Sequence, residues 1–302
     1  MTLASICLVI LAAIIHASWN LMAKRAAAVG PVFVMAYNLI SCVAYAPWVL
    51  WLLMTRPTPL GGSWAGLGFV LLSGLIHLAY SLCLQRGYQV ADLSVVYPVA
   101  RGTGPMLSSL AAIAILGEAP GLSGFAGLVL IVAGIFLIAT EGRLAAFRRP
   151  GGQAGLRWGT LTGGLIASYT VVDAYAVKLL GVAPVVLDWA SNLMRFWLLL
   201  PLYLRDPARA RAAMRGHWGL ALGVGLLSPL SYILVLAALQ QGAPLSLVAP
   251  MREMSMMIGA LLGMAILRER VGPWRLAGCA VLIGGGVVRT ACPSRTSLRR
   301  RR

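Results

Sequence analysis

The feature that most constrains this chain is an apolar stretch of membrane-spanning length that recurs from one end to the other. A hydrocarbon core about 30 Å thick requires about 20 apolar residues per helix. Backbone groups inside lipid must bond within their own segment, so each stretch predicts an α-helix. Short breaks rich in Gly, Pro or charge separate them. The predicted spans are about 3–23, 31–54, 64–85, 92–116, 121–140, 157–178, 183–204, 217–239, 244–267 and 271–290.

The composition excludes a soluble protein. Apolar residues make up 60% of the chain and charged residues only 11%, too few to cover a soluble surface. The net charge of +17 does not indicate nucleic-acid binding, because the basic residues lie at span ends and in the tail, as topology signals do. We therefore predict a multi-pass protein of the cytoplasmic (inner) membrane, in contact with the lipid bilayer and with no nucleic-acid partner.

The two halves of the chain resemble each other. A shift of 154 positions places Asn38-Leu39 on Asn192-Leu193, and a shift of 152 places Leu93-Ser94 on Leu245-Ser246. Glu118 falls on Glu269 at a shift of 151. Each unit holds five predicted helices, an odd number, so consecutive copies must enter the membrane in opposite directions. Such repeats place a binding site at their interface near the bilayer midplane.

The predicted fold is therefore an all-α integral membrane protein with ten transmembrane helices arranged as two inverted five-helix repeats. Its parts are a first repeat (1–140), a connecting loop (141–156), a second repeat (157–290) and a basic C-terminal tail (291–302).

Four short motifs resemble the EamA-type transporters of the drug/metabolite transporter superfamily. They are His-Ala-Ser-Trp-Asn at 16–20, Tyr-Pro-Val-Ala-Arg-Gly-Thr-Gly-Pro at 97–105, Leu-Gly-Glu at 116–118 and Leu-Arg-Glu-Arg at 267–270. The resemblance implies a ten-helix transporter. It does not indicate the substrate, because that family carries amino acids, metabolites, nucleotide sugars and drugs on one fold.

Polar residues inside a span are costly and mark candidate sites. His16, Trp19 and Asn20 stand at i, i+3 and i+4 on the first helix and share a face. They could form the wall of a polar cavity with an aromatic platform. Alternatively, His16 and Asn20 bond neighbouring helices and hold the bundle together.

Tyr97 and Arg101 share a face of the fourth helix. Arg101 is permanently charged, so it requires either an anionic ligand or a carboxylate such as Glu253, its counterpart in the repeat. Arg252 is adjacent to Glu253, and successive helical residues point about 100° apart. We therefore expect these two side chains to face different surroundings, although both are substrate-binding candidates.

Tyr169 and Asp173 share a face of the sixth helix. Asp173 could pair with Lys24 or Lys178, bind a cationic substrate group, or carry a coupled proton. The candidates for proton coupling are Glu253, Asp173 and His16.

Two further polar sets are interpreted as structural. Asp188, Asn192 and Arg195 stand at i, i+4 and i+7, which predicts a ladder that satisfies itself. The His77 side chain is expected to form a hydrogen bond between helices rather than to act as a proton relay.

The sequence lacks a His-Glu-x-x-His zinc motif, a Gly-x-Ser-x-Gly elbow and a Walker A loop. None of the five cysteines has CxxC spacing. We expect no catalytic residue, no metal site and no cofactor. The prediction is a secondary transporter, as monomer or homodimer, that moves small polar or zwitterionic metabolites by alternating access, with H+ as the candidate coupling ion. The alternatives are multidrug or amphiphile efflux, and an integral-membrane enzyme.

The loops give an orientation. The breaks after odd-numbered spans, counted with the adjoining span ends, hold 14 Lys and Arg residues, and those after even-numbered spans hold two. The positive-inside rule then predicts cytoplasmic odd loops and both termini outside. The arginine-rich tail and the family resemblance favour the opposite orientation.

Overall fold

A computed structural model describes residues 2–62, 64–90, 93–119, 121–140, 142, 152–258 and 272–291. This part of the chain is all-α, as predicted. The helices are α1 (Leu3–Arg25), α2 (Pro31–Thr55), α3 (Trp64–Val90), α4 (Leu93–Leu116), α5 (Gly121–Thr140), α6 (Gly152–Lys178), α7 (Pro184–Arg205), α8 (Pro207–Met214), α9 (Trp218–Gln240), α10 (Leu245–Arg252) and α11 (Pro273–Ala291).

Seven of the described helices are long and apolar enough to cross a membrane: α1 to α5, α7 and α9. The 27-residue α6 is more polar, with Arg157 in its first half. The apolar stretch of α11 covers only Leu276–Gly286. The rest of the ninth predicted span, like most of the connecting loop and the basic tail, lies outside the described residues. The multi-pass membrane fold is confirmed, and the count of ten spans stays a prediction.

The predicted break between the seventh and eighth spans contains an additional helix, α8. The Asp206 side chain accepts a hydrogen bond from the Arg209 backbone N–H at 3.0 Å, and Pro207 occupies the first helical position. A capping carboxylate followed by proline is a strong start signal. The long break from Arg205 to Gly216 therefore contains a short helix.

The ninth predicted helix is not continuous either. α10 ends at Arg252, Glu253 forms a turn, and helix resumes over 254–258. Pro250 has no N–H and its ring crowds the preceding turn. The Glu253 N–H donates to the Pro250 carbonyl at 3.0 Å, a bond one residue tighter than the α-helical one. The turn at Glu253 changes the directions of the side chains on either side of it.

The described residues form two compact units. The first comprises 1–78 and 172–242, the second 79–171 and 243–302. In the first, α2 packs on α7 and α1 on α9; in the second, α4 packs on α10 and α5 on α11. The pairs α2–α7, α4–α10 and α5–α11 each join helices that the predicted repeat would make equivalent. The division into two repeats stays a prediction.

Small residues bring α5 and α11 into backbone contact. A Cβ atom on Gly134 would lie 2.7 Å from the Leu282 nitrogen, and one on Gly278 would lie 2.8 Å from the Gly134 carbonyl oxygen. No side chain fits at either position. This close approach is the usual way in which transmembrane helices gain packing energy.

Two prolines inside helices free carbonyl groups that serines on neighbouring helices satisfy. Pro229 removes the bond to the Gly225 carbonyl, and the Ser41 hydroxyl donates to that oxygen at 2.8 Å. Pro250 likewise frees the Ser246 carbonyl, to which Ser109 donates at 3.3 Å. Freed carbonyls in lipid require such partners, so the prolines fix contacts of α9 with α2 and of α10 with α4.

Candidate functional site

The second unit contains a buried ion-pair cluster centred on Glu253. Nη2 of Arg101, on α4, lies 2.8 Å from Oε2 of Glu253. Nε of Arg252 lies 3.7 Å from Oε1 of the same carboxylate. The Glu253 side chain is 1% exposed and that of Arg101 15%. The predicted pairing of Arg101 with Glu253 is confirmed.

The expectation that Arg252 and Glu253 face different surroundings was wrong. The 100° separation applies to a continuous helix. Here the helix is interrupted at Glu253, and the two side chains approach each other at 3.7 Å. One carboxylate therefore contacts two guanidinium groups.

Tyrosines surround Arg101. Its guanidinium carbon lies 5.9 Å from the centre of the Tyr97 ring, a cation–π distance. The rings of Tyr80 and Tyr169 are 5.6 Å apart, and both residues interact electrostatically with Arg101. Sequence reasoning found Tyr97 and Tyr169 but missed Tyr80, on α3. Its position three residues after His77, on the same helical face, was the available signal.

Arg101 keeps hydrogen-bonding capacity. A guanidinium carries five N–H donors in a planar fork, and among the described residues the Arg101 Nε atom is buried without a hydrogen-bond partner. Unsatisfied buried donors are costly. An anionic oxygen beside Arg101 would satisfy this donor.

The first unit contains a different cluster, built on Asp173. The Tyr232 hydroxyl, on α9, donates to Oδ2 of Asp173 at 2.5 Å. Nε2 of His77, on α3, lies 4.0 Å from the same oxygen. Asp173 is fully buried and His77 is 9% exposed. Asp173 thus lies within ion-pair distance of a histidine on another helix. His77 hydrogen-bonds Ser73 of its own helix, and its predicted hydrogen bond to another helix stays a prediction.

The first unit also contains the three predicted residues of α1. Nε1 of Trp19 donates to the Ser231 hydroxyl on α9 at 3.2 Å. The His16 ring packs edge-on against the Trp19 ring, with centres 4.8 Å apart. The Asn20 amide donates to the His16 carbonyl at 2.7 Å, so the described bond of Asn20 lies within its own helix. The side-chain hydrogen bond between α1 and α9 at this position comes from Trp19.

The polar ladder on α7 satisfies itself, as predicted. Asn192 donates to the Asp188 carboxylate at 2.8 Å, and Arg195 donates to the Asn192 carbonyl at 2.6 Å. The three side chains form one hydrogen-bonded chain along a helical face.

Comparison with known proteins gives a family for the first part of the chain. Residues 3–140 match the EamA-like transporter family, which belongs to the drug/metabolite transporter superfamily. No curated protein matches the sequence. A solved structure described as "Crystal structure of protein" superposes with a TM-score of 0.75 at 17% identity, covering 96% of this chain and 98% of that one. At that identity the likeness concerns the fold alone. Family and apolar helices together support a membrane transporter.

In this EamA-like chain the Leu-Gly-Glu motif has a visible structural role. Glu118 Oε1 accepts the Leu245 N–H at 2.7 Å, and Oε2 accepts the Ser246 N–H at 2.8 Å. These are two of the N–H groups left without an intrahelical partner at the start of α10. A carboxylate also interacts favourably with the helix dipole at this end. The motif therefore anchors the helix that carries Arg252 and leads to Glu253.

Proposed function

We propose that this protein is a secondary transporter of the cytoplasmic membrane that moves small zwitterionic, amino-acid-like metabolites by alternating access. The observation that carries the proposal is the ion pair between Arg101 and Glu253, which matches the two charges of a zwitterion. Arg101 would receive the substrate carboxylate, and Glu253 the substrate ammonium group.

A substrate that separates the ion pair must compensate both charges. Removing one partner of a buried ion pair costs about 3–5 kcal/mol, because the other charge is left uncompensated. A zwitterion brings both charges and can take the place of each partner. A neutral or singly charged solute cannot. The site would therefore discriminate by the number and sign of charges on the substrate, with substrate size limited by the space between α4 and the turn after α10.

Aromatic residues support this assignment. Tyr97 lies against the Arg101 guanidinium, and the mutually tilted rings of Tyr169 and Tyr80 lie near it. Such rings give a rigid wall for the apolar part of a substrate. The roles of His16, Trp19 and Asn20 as substrate contacts stay predictions.

The methionines after Glu253 weigh against efflux of varied amphiphiles. Flexible methionines can form an adaptable binding surface. In this structure Met254, Met256 and Met257 pack against a buried core of α5 and α11 that includes Ile135 and Leu282. They serve helix packing there, so amphiphile efflux stays the second candidate.

The test uses purified protein in liposomes and a radiolabelled amino-acid mixture. Arg101→Lys keeps the charge but lacks the planar fork. Loss of one charge-assisted hydrogen bond, worth about 1.5–3 kcal/mol, should raise the KM for uptake roughly tenfold to a hundredfold. Arg157→Lys, at an exposed position of α6 in the same unit, is the matched control and should transport normally.

Competition identifies the group that Arg101 binds. Unlabelled amino acids should block uptake of the mixture, and the corresponding monoamines, which lack the carboxylate, should not. Equal inhibition by monoamines, or unchanged KM in Arg101→Lys, would remove Arg101 from substrate recognition. Uptake of lipophilic cations in place of the mixture would favour the efflux alternative.

A further inference from the structure

Three helices of the first unit bring a carboxylate, an imidazole and a phenol together. Oδ2 of Asp173 receives the Tyr232 hydroxyl at 2.5 Å and faces Nε2 of His77 at 4.0 Å. The rings of His77 and Tyr232 meet edge-on, with centres 5.8 Å apart. The three residues come from α6, α3 and α9, so a change in the packing of any of these helices alters the cluster.

The other side of the imidazole fixes its tautomer. Nδ1 of His77 lies 2.9 Å from the Ser73 carbonyl oxygen and 3.3 Å from the Ser73 hydroxyl. A carbonyl oxygen can only accept, so Nδ1 must carry a hydrogen. In the neutral ring Nε2 then carries no hydrogen, and its lone pair lies on the side of the ring that faces Asp173. Two acceptors, Nε2 and Oδ2, thus lie on either side of a gap that one proton can bridge.

Charged groups on α7 also act on this cluster. Asp188 and Arg195 both interact electrostatically with Asp173, with opposite signs. They are joined through Asn192 into one chain, so their effects on Asp173 partly cancel. The group that can change the charge at Asp173 is His77, because histidine titrates near neutral pH.

Glu253 is less suited to this role. It lies between two guanidinium groups that stay charged at any relevant pH. A proton on Glu253 would leave Arg101 buried without its carboxylate partner. Asp173 has a titratable neighbour, so a proton can enter and leave that pair without such a cost.

We propose that the cluster of His77, Asp173 and Tyr232 is the proton-binding site that couples transport to a proton gradient. A proton from one aqueous side binds between Nε2 of His77 and Oδ2 of Asp173, which gives an imidazolium–carboxylate pair, and leaves as the same proton to the other side. Tyr232 donates to Asp173 in both states and holds the carboxylate in place. This inference rests on the proposed transport function and names its coupling site.

Transport by liposomes containing the full chain separates coupling from binding. With the radiolabelled amino-acid mixture, Asp173→Asn and His77→Gln should lose accumulation driven by an imposed pH gradient. Both should retain exchange of internal for external label, which needs no net proton movement. Asp206→Asn, which removes the charge of an exposed carboxylate in the same unit, is the matched control and should keep gradient-driven accumulation. Full accumulation in Asp173→Asn would overturn the proposal, as would selective loss of coupling in Glu253→Gln.

A second measurement does not depend on any substrate. The chain has three histidines, so histidine labelling with ¹⁵N and NMR titration resolves His77, assigned by its loss in His77→Gln. In the purified protein, Asp173→Asn should change the proton affinity of His77 by at least about tenfold, since a charge 4.0 Å away is removed. Asp188→Asn should change it less. An unaltered His77 titration in Asp173→Asn refutes the proton site even if no amino acid is transported. If the titration changes while the mixture is not transported, the proton site stands and the proposed function fails.

Discussion

Replacement of Glu118 by alanine should release the start of α10. In the native protein the two carboxylate oxygens hold the Leu245 and Ser246 N–H groups at 2.7 and 2.8 Å. A hydrogen bond to a charged group contributes about 1.5–3 kcal/mol. Glu118 is partly exposed, so water can replace part of each bond and the lower end of that range applies. An N-cap substitution costs a similar amount, about 0.5–2 kcal/mol.

The consequence is measurable at the two amides themselves. A loss of about 2 kcal/mol of local stability corresponds to a roughly thirtyfold increase in opening, since 1.4 kcal/mol is a factor of ten. Hydrogen exchange followed by mass spectrometry, on a peptide covering Leu245–Arg252, reports that opening directly. Pro250 has no amide hydrogen, which simplifies the assignment. Glu118→Gln should give a smaller effect, because its carbonyl can accept one N–H while its amide nitrogen cannot accept the other.

The matched control is Asp206→Ala, which removes the cap of α8 in the first unit. It should accelerate exchange at Arg209 and leave the α10 peptide unchanged. Exchange of Leu245 and Ser246 at the native rate in Glu118→Ala would show that the carboxylate does not hold these amides. Equal exchange in Glu118→Gln and Glu118→Ala would show that the second bond contributes nothing.

Two further predictions concern packing and orientation. Ser41→Ala should lower the free energy of unfolding, measured by SDS titration, by about 1–3 kcal/mol, because the Gly225 carbonyl loses its partner. Ser168→Ala, whose hydroxyl donates within its own helix, should change that free energy little. Equal losses of stability in the two variants would contradict the interhelical role of Ser41. If the loops after odd-numbered spans are cytoplasmic, Thr58→Cys in a cysteine-free background should react with an impermeant thiol reagent added outside intact cells, and Ala208→Cys should not. The reverse pattern would place both termini in the cytoplasm.

Much of the fold was accessible from the sequence. Span positions follow from hydropathy, a property of each segment alone, and α5 begins and ends at the predicted residues. The pairing of Arg101 with Glu253 was also predictable, because the two residues have opposite charges and occupy equivalent positions in the predicted repeat. The turn at Glu253 was not predicted, although Pro250 was the signal for it.

What the sequence could not determine is the partner of each polar group across helices. Hydropathy fixes where a helix lies in the chain, but its rotation and depth depend on packing against other helices. The sequence offered Lys24 and Lys178 as partners of Asp173. The packing of α3, α6 and α9 brings His77 and Tyr232 to it. In the same way, Arg252 and Glu253 converge only because the proline-bearing helix is interrupted between α10 and the segment at 254–258. The sequence therefore determined which residues are costly to bury, and tertiary packing decided which of them compensate one another.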